Sequence, residues 1–246
     1  MRGYPALVAL GLLLIAPAAW ADFESGLRAV DRGDQRLAFW EWLLLALRGD
    51  RAAEFNVGAA YYNGEGVERD YGRAAEWYRR AAAQGHARAE FLLGMMHEAG
   101  RGVPRDERAA VEWFRQAARQ GYPAAQHSLG VVYRAGRGVP RDVVEAGRWF
   151  LRAAEQGHVP SQIRAGVMYE EGEGVAPDLV QAYKWYRLAS ARLDAADRQE
   201  IDRLVHALRA RMSQAELATA ERLTREWRPR AEGVDHAAPV WPRAAR

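Results

Sequence analysis

The chain has 246 residues, enough for one elongated domain, and sets 35 basic side chains against 32 acidic ones for a formal charge of +3. The cations are almost all arginine, with Lys184 the lone lysine, and no dense basic block forms, which argues against a nucleic-acid surface. Cysteine is absent, which excludes disulfides, thiolate metal ligands, a cysteine nucleophile and a lipid-modified cysteine.

Met1 to Ala21 reads as a secretory signal peptide. Arg2 supplies the charged start, Leu7 to Ala16 the apolar core, and Ala19-Trp20-Ala21 a small-x-small cleavage site before Asp22. The apolar core is too short for a spanning helix and is followed by Pro17. The expected product is a free, exported protein, with no stable membrane anchor after cleavage.

Residues 22–50 read as a worn helix hairpin. Asp34 stands where a helix cap belongs, and Ala38, Trp42, Leu45 and Ala46 form a stripe on the helix it opens. That helix also carries Phe39, Trp40, Leu43, Leu44 and Leu47, so it is apolar on nearly all sides. Either the helix before it wraps over this surface, or a partner docks there.

From Arg51 to about Asp194 the chain falls into four rows of 36 without an insertion. Gly58, Gly94, Gly130 and Gly166 share a column. So do Asp70, Asp106, Asp142 and Asp178, and so do Trp77, Trp113, Trp149 and Trp185. A fixed period in this range is the mark of a solenoid. Each row reads as helix, loop, helix: in the first, roughly Arg51 to Tyr62, then Gly64-Glu65-Gly66-Val67, then roughly Asp70 to Gln84. The loop glycines admit positive φ, the aspartate caps the second helix, and Gly85, Gly121 and Gly157 close it. Pro104, Pro140 and Pro177 prevent the first helix from running on. In the second helix Ala74, Trp77, Tyr78, Ala81 and Ala82 recur at the spacing of one helical face, which predicts the buried side.

The pattern Leu-Gly-x-x-Tyr, Gly-x-Gly-Val, Asp, Ala-x-x-Trp and Ala-Ala resembles the Sel-one-like repeat (SLR) family, a relative of the tetratricopeptide repeats. The resemblance covers more than half the chain. It departs at His97, which holds a Tyr column, and at Leu193, which replaces the closing glycine and suggests that the last repeat helix continues into the C-terminal region. It implies an all-α, right-handed α/α superhelical solenoid used for binding and no particular activity. With the short leader, it points to a bacterial periplasm, secretion remaining open.

After the repeats, residues 195–227 read as two capping helices. Ile201, Leu204, Val205 and Leu208 share a stripe on the first, and Ser213-Gln214-Ala215-Glu216 opens the second as a capping box. Residues 228–246 hold three prolines and no helical period, the composition of a disordered tail. Val240-Trp241-Pro242 within it has the form of a short docking motif.

No catalytic constellation stands out. None of Ser25, Ser128, Ser161, Ser190 and Ser213 sits in a Gly-x-Ser-x-Gly elbow, and no histidine pair has ligand spacing. Gly64-Glu65-Gly66 follows a helix and lacks the third glycine of a dinucleotide loop. His86 and His158 share a loop column, which reads as structural. No cofactor or metal is expected. Some relatives are cysteine-rich, penicillin-binding hydrolases, a reading that the missing cysteines weaken.

If the tetratricopeptide resemblance holds, the concave face comes from the columns of Ala52, Phe55, Ala59 and Tyr62. It then carries Phe55 and Tyr62; Arg88, Phe91, Met95 and Glu98; His127 and Arg134; and Ile163 and Glu170. Phe55, Phe91 and Ile163 would form an apolar line, and Tyr62, Glu98, Arg134 and Glu170 a polar one. Such a face suits a protein or peptide partner in the cell envelope, aromatics giving area and charges fixing register. A carbohydrate or peptidoglycan ligand, or a role in polysaccharide assembly, is the alternative.

Overall fold

The computed structural model describes residues 22–230. The signal-peptide stretch and residues 231–246, with Val240-Trp241-Pro242, lie outside the described residues. Among the described residues there are twelve helices and no strand. The N-terminal hairpin is α1 (Phe23–Asp31) and α2 (Gln35–Ala46). The four repeats are α3 (Arg51–Asn63) with α4 (Tyr71–Ala83), α5 (Ala87–Ala99) with α6 (Glu107–Arg119), α7 (Pro123–Ala135) with α8 (Val143–Glu155), and α9 (Val159–Glu171) with α10 (Leu179–Ser190). Two closing helices follow, α11 (Ala195–Arg209) and α12 (Gln214–Glu226). Each helix from α1 to α10 packs on the next in chain order, and α12 returns to lie on α10.

The helix starts follow the predicted chemistry. Asp70 accepts from the Arg73 N–H at 3.0 Å, and Asp106, Asp142 and Asp178 each accept from two N–H groups of their own first turns. At the first helices the cap changes character: Asp50 serves α3, the His86 ring nitrogen serves α5 at 3.2 Å, and Pro123 starts α7. Ser213 and Glu216 form the capping box of α12.

Two glycine columns have steric causes. A Cβ on Gly94, Gly130 or Gly166 would stand 2.5 Å from the ring of Phe114, Phe150 or Tyr186, the aromatic of the same hairpin. Glycine inside a helix costs about 1 kcal/mol relative to alanine. Here it lets the two helices close on a ring. The second glycine of each Gly-x-Gly loop has φ between +69° and +76°, and a Cβ there would strike backbone at the start of the preceding hairpin's second helix. The loops are therefore wedged between units, which sets the pitch from one repeat to the next.

The buried side of the second helices is Ala74, Tyr78, Ala81 and Ala82 and their equivalents, as the spacing implies. The tryptophan column departs from the expectation. Trp185 is 1% exposed, but Trp77, Trp113 and Trp149 are only half-buried at the edge of the core. Arg80 lies across the Trp77 ring and Arg152 across that of Trp149. The ring in the next column, Tyr78, Phe114, Phe150 or Tyr186, is the true centre of each hairpin.

A second correction concerns Leu193. The last repeat helix does not run on: α10 ends at Ser190, and Asp194 caps α11 by accepting from Ala196 and Asp197. Arg192, in that break, donates to the Gly157 carbonyl at 2.7 Å, as Gln156 does to that of Gly121 at 2.9 Å. In α2, the predicted surplus of apolar surface is covered on one side only. Trp42 is buried and donates to the Phe23 carbonyl at 3.3 Å, while Trp40 is 50% exposed and Leu47 65%.

Candidate functional site

The first helices α3, α5, α7 and α9 touch one another through side chains and so form one continuous face. The Arg88 guanidinium lies over the Phe55 ring at 5.3 Å, Phe91 meets Tyr122 at 5.3 Å, and His127 bonds Ser161 at 2.8 Å. All ten residues expected on the binding face lie on these helices.

Their roles differ from the expectation. Phe55 is withdrawn from the surface: it is 2% exposed, stacked on His86 at 4.4 Å and tilted against Tyr78 at 5.6 Å. The gap between two hairpins needs that ring, so none of it is left for a ligand. Phe91 is half-buried against Phe114 and Tyr122. Ile163 is half-buried and packs towards the closing helices. Met95 is the most open apolar member at 42%. Beside it in the same column, Val131 and Val167 are half-buried.

The polar line is already paired. Tyr62 accepts from Arg101 at 3.0 Å, Glu98 holds Arg137 at 2.7 Å, Arg134 holds Glu173 at 2.8 Å, and Glu170 holds Arg211 at 2.6 Å. The first three partners are the middle residue of the next repeat's Gly-x-Gly, and the fourth comes from the end of the closing helix α11's turn. Sequence reasoning missed these partners, although a signal existed. The loop residue carries the sign opposite to that of the charged helix residue one row earlier, Arg137 after Glu98 and Glu173 after Arg134. The groups expected to fix a ligand's register are thus staples between units.

Below the floor sits a cluster of three. The buried Ser161 hydroxyl lies 2.8 Å from His127 Nδ1 and 2.9 Å from His158 Nδ1. A hydroxyl has one proton and two lone pairs, so at most one ring accepts from it and at least one donates its own Nδ1–H to it. Burial pushes both histidines below their ordinary value, His158 to about 4, and each also feels a neighbouring cation or ring, Arg164 for His127 and His127 for His158. Ser161 is fully enclosed and its hydroxyl is spent on the rings, so it is not placed as a nucleophile. Glu54 and Glu90 are buried carboxylates, raised by desolvation and held by Gln84 and Gln120, each at 2.7 Å. They join the two helices of a hairpin. Among the described residues no group of three or more His, Asp or Glu could hold a metal ion.

Four like helix hairpins in a row, with a half-apolar face whose charges cross-link one unit to the next, define a repeat solenoid. The Sel1 repeat model matches residues 51–86, 87–122, 123–158 and 159–192. The chain belongs to the Sel1 repeat family. Proteins of this family are generally non-catalytic scaffolds for protein–protein interaction. The chain is similar to a Sel1 repeat protein of Oxalobacter formigenes, at 29% identity over 74% of this chain and 79% of that one, with a TM-score of 0.66. It is also similar to a protective antigen of uropathogenic Escherichia coli displaying an SLR fold, at 24% identity over 83% of this chain and 59% of that one, with a TM-score of 0.46. No curated protein matches it. Among the described residues no helix is long and apolar enough to cross a membrane.

Proposed function

We propose that the protein is an exported scaffold that holds a protein or peptide partner against the face formed by its first helices. One observation carries the reading. Phe91, Met95, Val131, Ile163 and Val167 leave apolar surface open in adjoining rows, beside a rim whose charges are fixed between repeats. A preformed surface of this kind gains affinity because little has to be ordered on binding. Export rests on the leader-like residues 1–21 and is tested by the N-terminus of the mature protein, expected at Asp22.

The carbohydrate reading is the less favoured. Sugar stacking needs an open aromatic ring, and on this face Phe55 is enclosed and Phe91 is half-covered. The test is site-specific photo-crosslinking in the native cell. A crosslinking residue at Met95 should give a discrete protein adduct, and one at Val144, exposed at the start of α8, should give none. Adducts at both positions or only at Val144 would remove the face from consideration.

A further inference from the structure

Three arginines beside this same face, Arg88, Arg101 and Arg164, have no carboxylate held to themselves alone among the described residues. Arg137 and Arg211 each hold a carboxylate of the preceding first helix. Arg101 occupies the matching loop place, but Tyr62 stands opposite, and among the described residues it bonds that phenol oxygen at 3.0 Å rather than a carboxylate. Arg88 lies on the Phe55 ring with no carboxylate in ion-pair reach among the described residues. Arg164 lies 5.9 Å over Phe150 and reaches Glu173 at 3.9 Å, a carboxylate that Arg134 already grips at 2.8 Å. Two cations there share one anion.

The acids near these groups are committed. Glu98 and Glu170 are paired, Glu54 and Glu90 are buried on glutamine donors, and Glu65 is held by Asn63. Three arginines are therefore left without a carboxylate of their own, with the open apolar surface of Phe91 and Met95 among them. Arginine on an aromatic ring keeps its in-plane N–H fork free, which suits a bidentate carboxylate.

We propose that the partner segment is acidic: its carboxylates meet Arg88, Arg101 and Arg164, and an apolar side chain between them sits on Phe91 and Met95. This rests on the reading that a protein segment occupies the first-helix face. The charges would steer encounter and fix direction, and the apolar contact would hold the complex.

The test is selection of short random displayed peptides on the full mature chain and, in parallel, on the triple variant Arg88→Gln, Arg101→Gln, Arg164→Gln. Arg101 is exposed and Arg88 and Arg164 are half-buried, and circular dichroism with melting checks that the variant keeps its fold. The expected pool is net negative, with carboxylates bracketing an apolar residue. Individual peptides should weaken with salt and lose roughly tenfold in affinity for each arginine removed. Arg148→Gln, paired with Glu145 on the second-helix side, should leave them unchanged. A neutral or cationic pool, acidic peptides held equally by the triple variant, or full displacement by an anionic polysaccharide would overturn the proposal. The two readings separate at Met95. Neutral peptides that crosslink there sink the acidic partner and leave the face standing, whereas a selected pool that never crosslinks there sinks both.

Discussion

Trp149 and Trp185 hold the same column one repeat apart. The first sits half-buried at the edge of α8 under the Arg152 guanidinium, 4.8 Å from its centre. The second is 1% exposed, with the Lys184 ammonium 3.8 Å above it and Trp227 edge-on at 6.4 Å. What differs is the next layer. In a linear array each unit covers only its neighbours, so a ring on the outer edge stays open until another helix arrives. At the closing end α12 arrives, and it is latched: Trp227 donates to the Glu155 carboxylate at 3.2 Å, and the Arg230 N–H to the Glu155 carbonyl at 2.9 Å. Burial lowers the Lys184 pKa even though Glu155 stands 4.0 Å away. Identity of residue and of column therefore does not fix burial.

The strongest way to break this comparison is to truncate both rings. Trp185→Ala should cost about 3–5 kcal/mol, the usual loss for a fully buried aromatic. Trp149→Ala should cost less, about 1–2 kcal/mol, since part of its area is already wet and its neighbour is the Arg152 guanidinium rather than another helix. Urea titration followed by helical circular dichroism reads both. Equal losses would mean that α12 adds nothing to the fourth repeat.

Next in size is the glycine that lets each hairpin close. Gly130→Ala would push a methyl into the Phe150 ring, and Gly166→Ala would do the same to Tyr186. Overpacking of this kind costs about 1–3 kcal/mol. The loss should be larger at Gly166, because Tyr186 packs with Ile201, Val205 and Leu208 of α11 and bonds Glu170 at 3.2 Å, and so has less room to retreat. The same urea series ranks the two, and a larger loss at Gly130 would reverse the expected order of stiffness.

The fold was legible because each repeated residue answers a local need. Aspartate caps, positive-φ glycines and the alanine face can be read one hairpin at a time, and the structure places them as expected. The candidate face was less legible, because its groups answer to the next hairpin. Phe55 looked like a free aromatic until His86, at the junction, and Arg88 of the following unit covered it. Glu98 and Arg134 looked like recognition charges until the loops beyond supplied their partners. Leu193 misled for the same reason: Asp194, a cap for the following helix, ends the repeat where no glycine does.

Between the third and fourth repeats the histidine pair makes the junction sensitive to acid. Both rings are held neutral in the fold, so the unfolded chain, with an ordinary value near 6.5, takes up protons first. Stability should therefore be full above about pH 6.5 and fall as pH drops towards about 4, where His158 is protonated in the fold as well. His158→Asn keeps a side chain suited to the start of α9 and removes one titration. The variant's stability should fall less than that of wild type, by on the order of 1–2 kcal/mol across that window. Melting at a series of pH values checks it, and parallel curves would deny the junction its acid sensitivity.

The smallest effect concerns the staple that crosses the same junction on its outer rim. Arg134 and Glu173 are paired in the opposite sense to Glu98 with Arg137 and Glu170 with Arg211. Such exposed pairs contribute about 0.2–1 kcal/mol each. Arg134→Glu alone sets two carboxylates together, and Glu173→Arg alone adds a third cation to Arg134 and Arg164, so each should destabilise by about that amount. The exchange of both restores the sense found in the neighbouring repeats and should recover most of the loss. Both single losses should fade at about 1 M salt, where charges are screened within a few ångströms. Arg164, 3.9 Å from Glu173, gives the measurement its direction: it can take over the carboxylate when Arg134 is lost but gains nothing when Glu173 is lost. Glu173→Arg should therefore be the worse of the two, and the reverse order would mean that Arg164 does not share that carboxylate in solution.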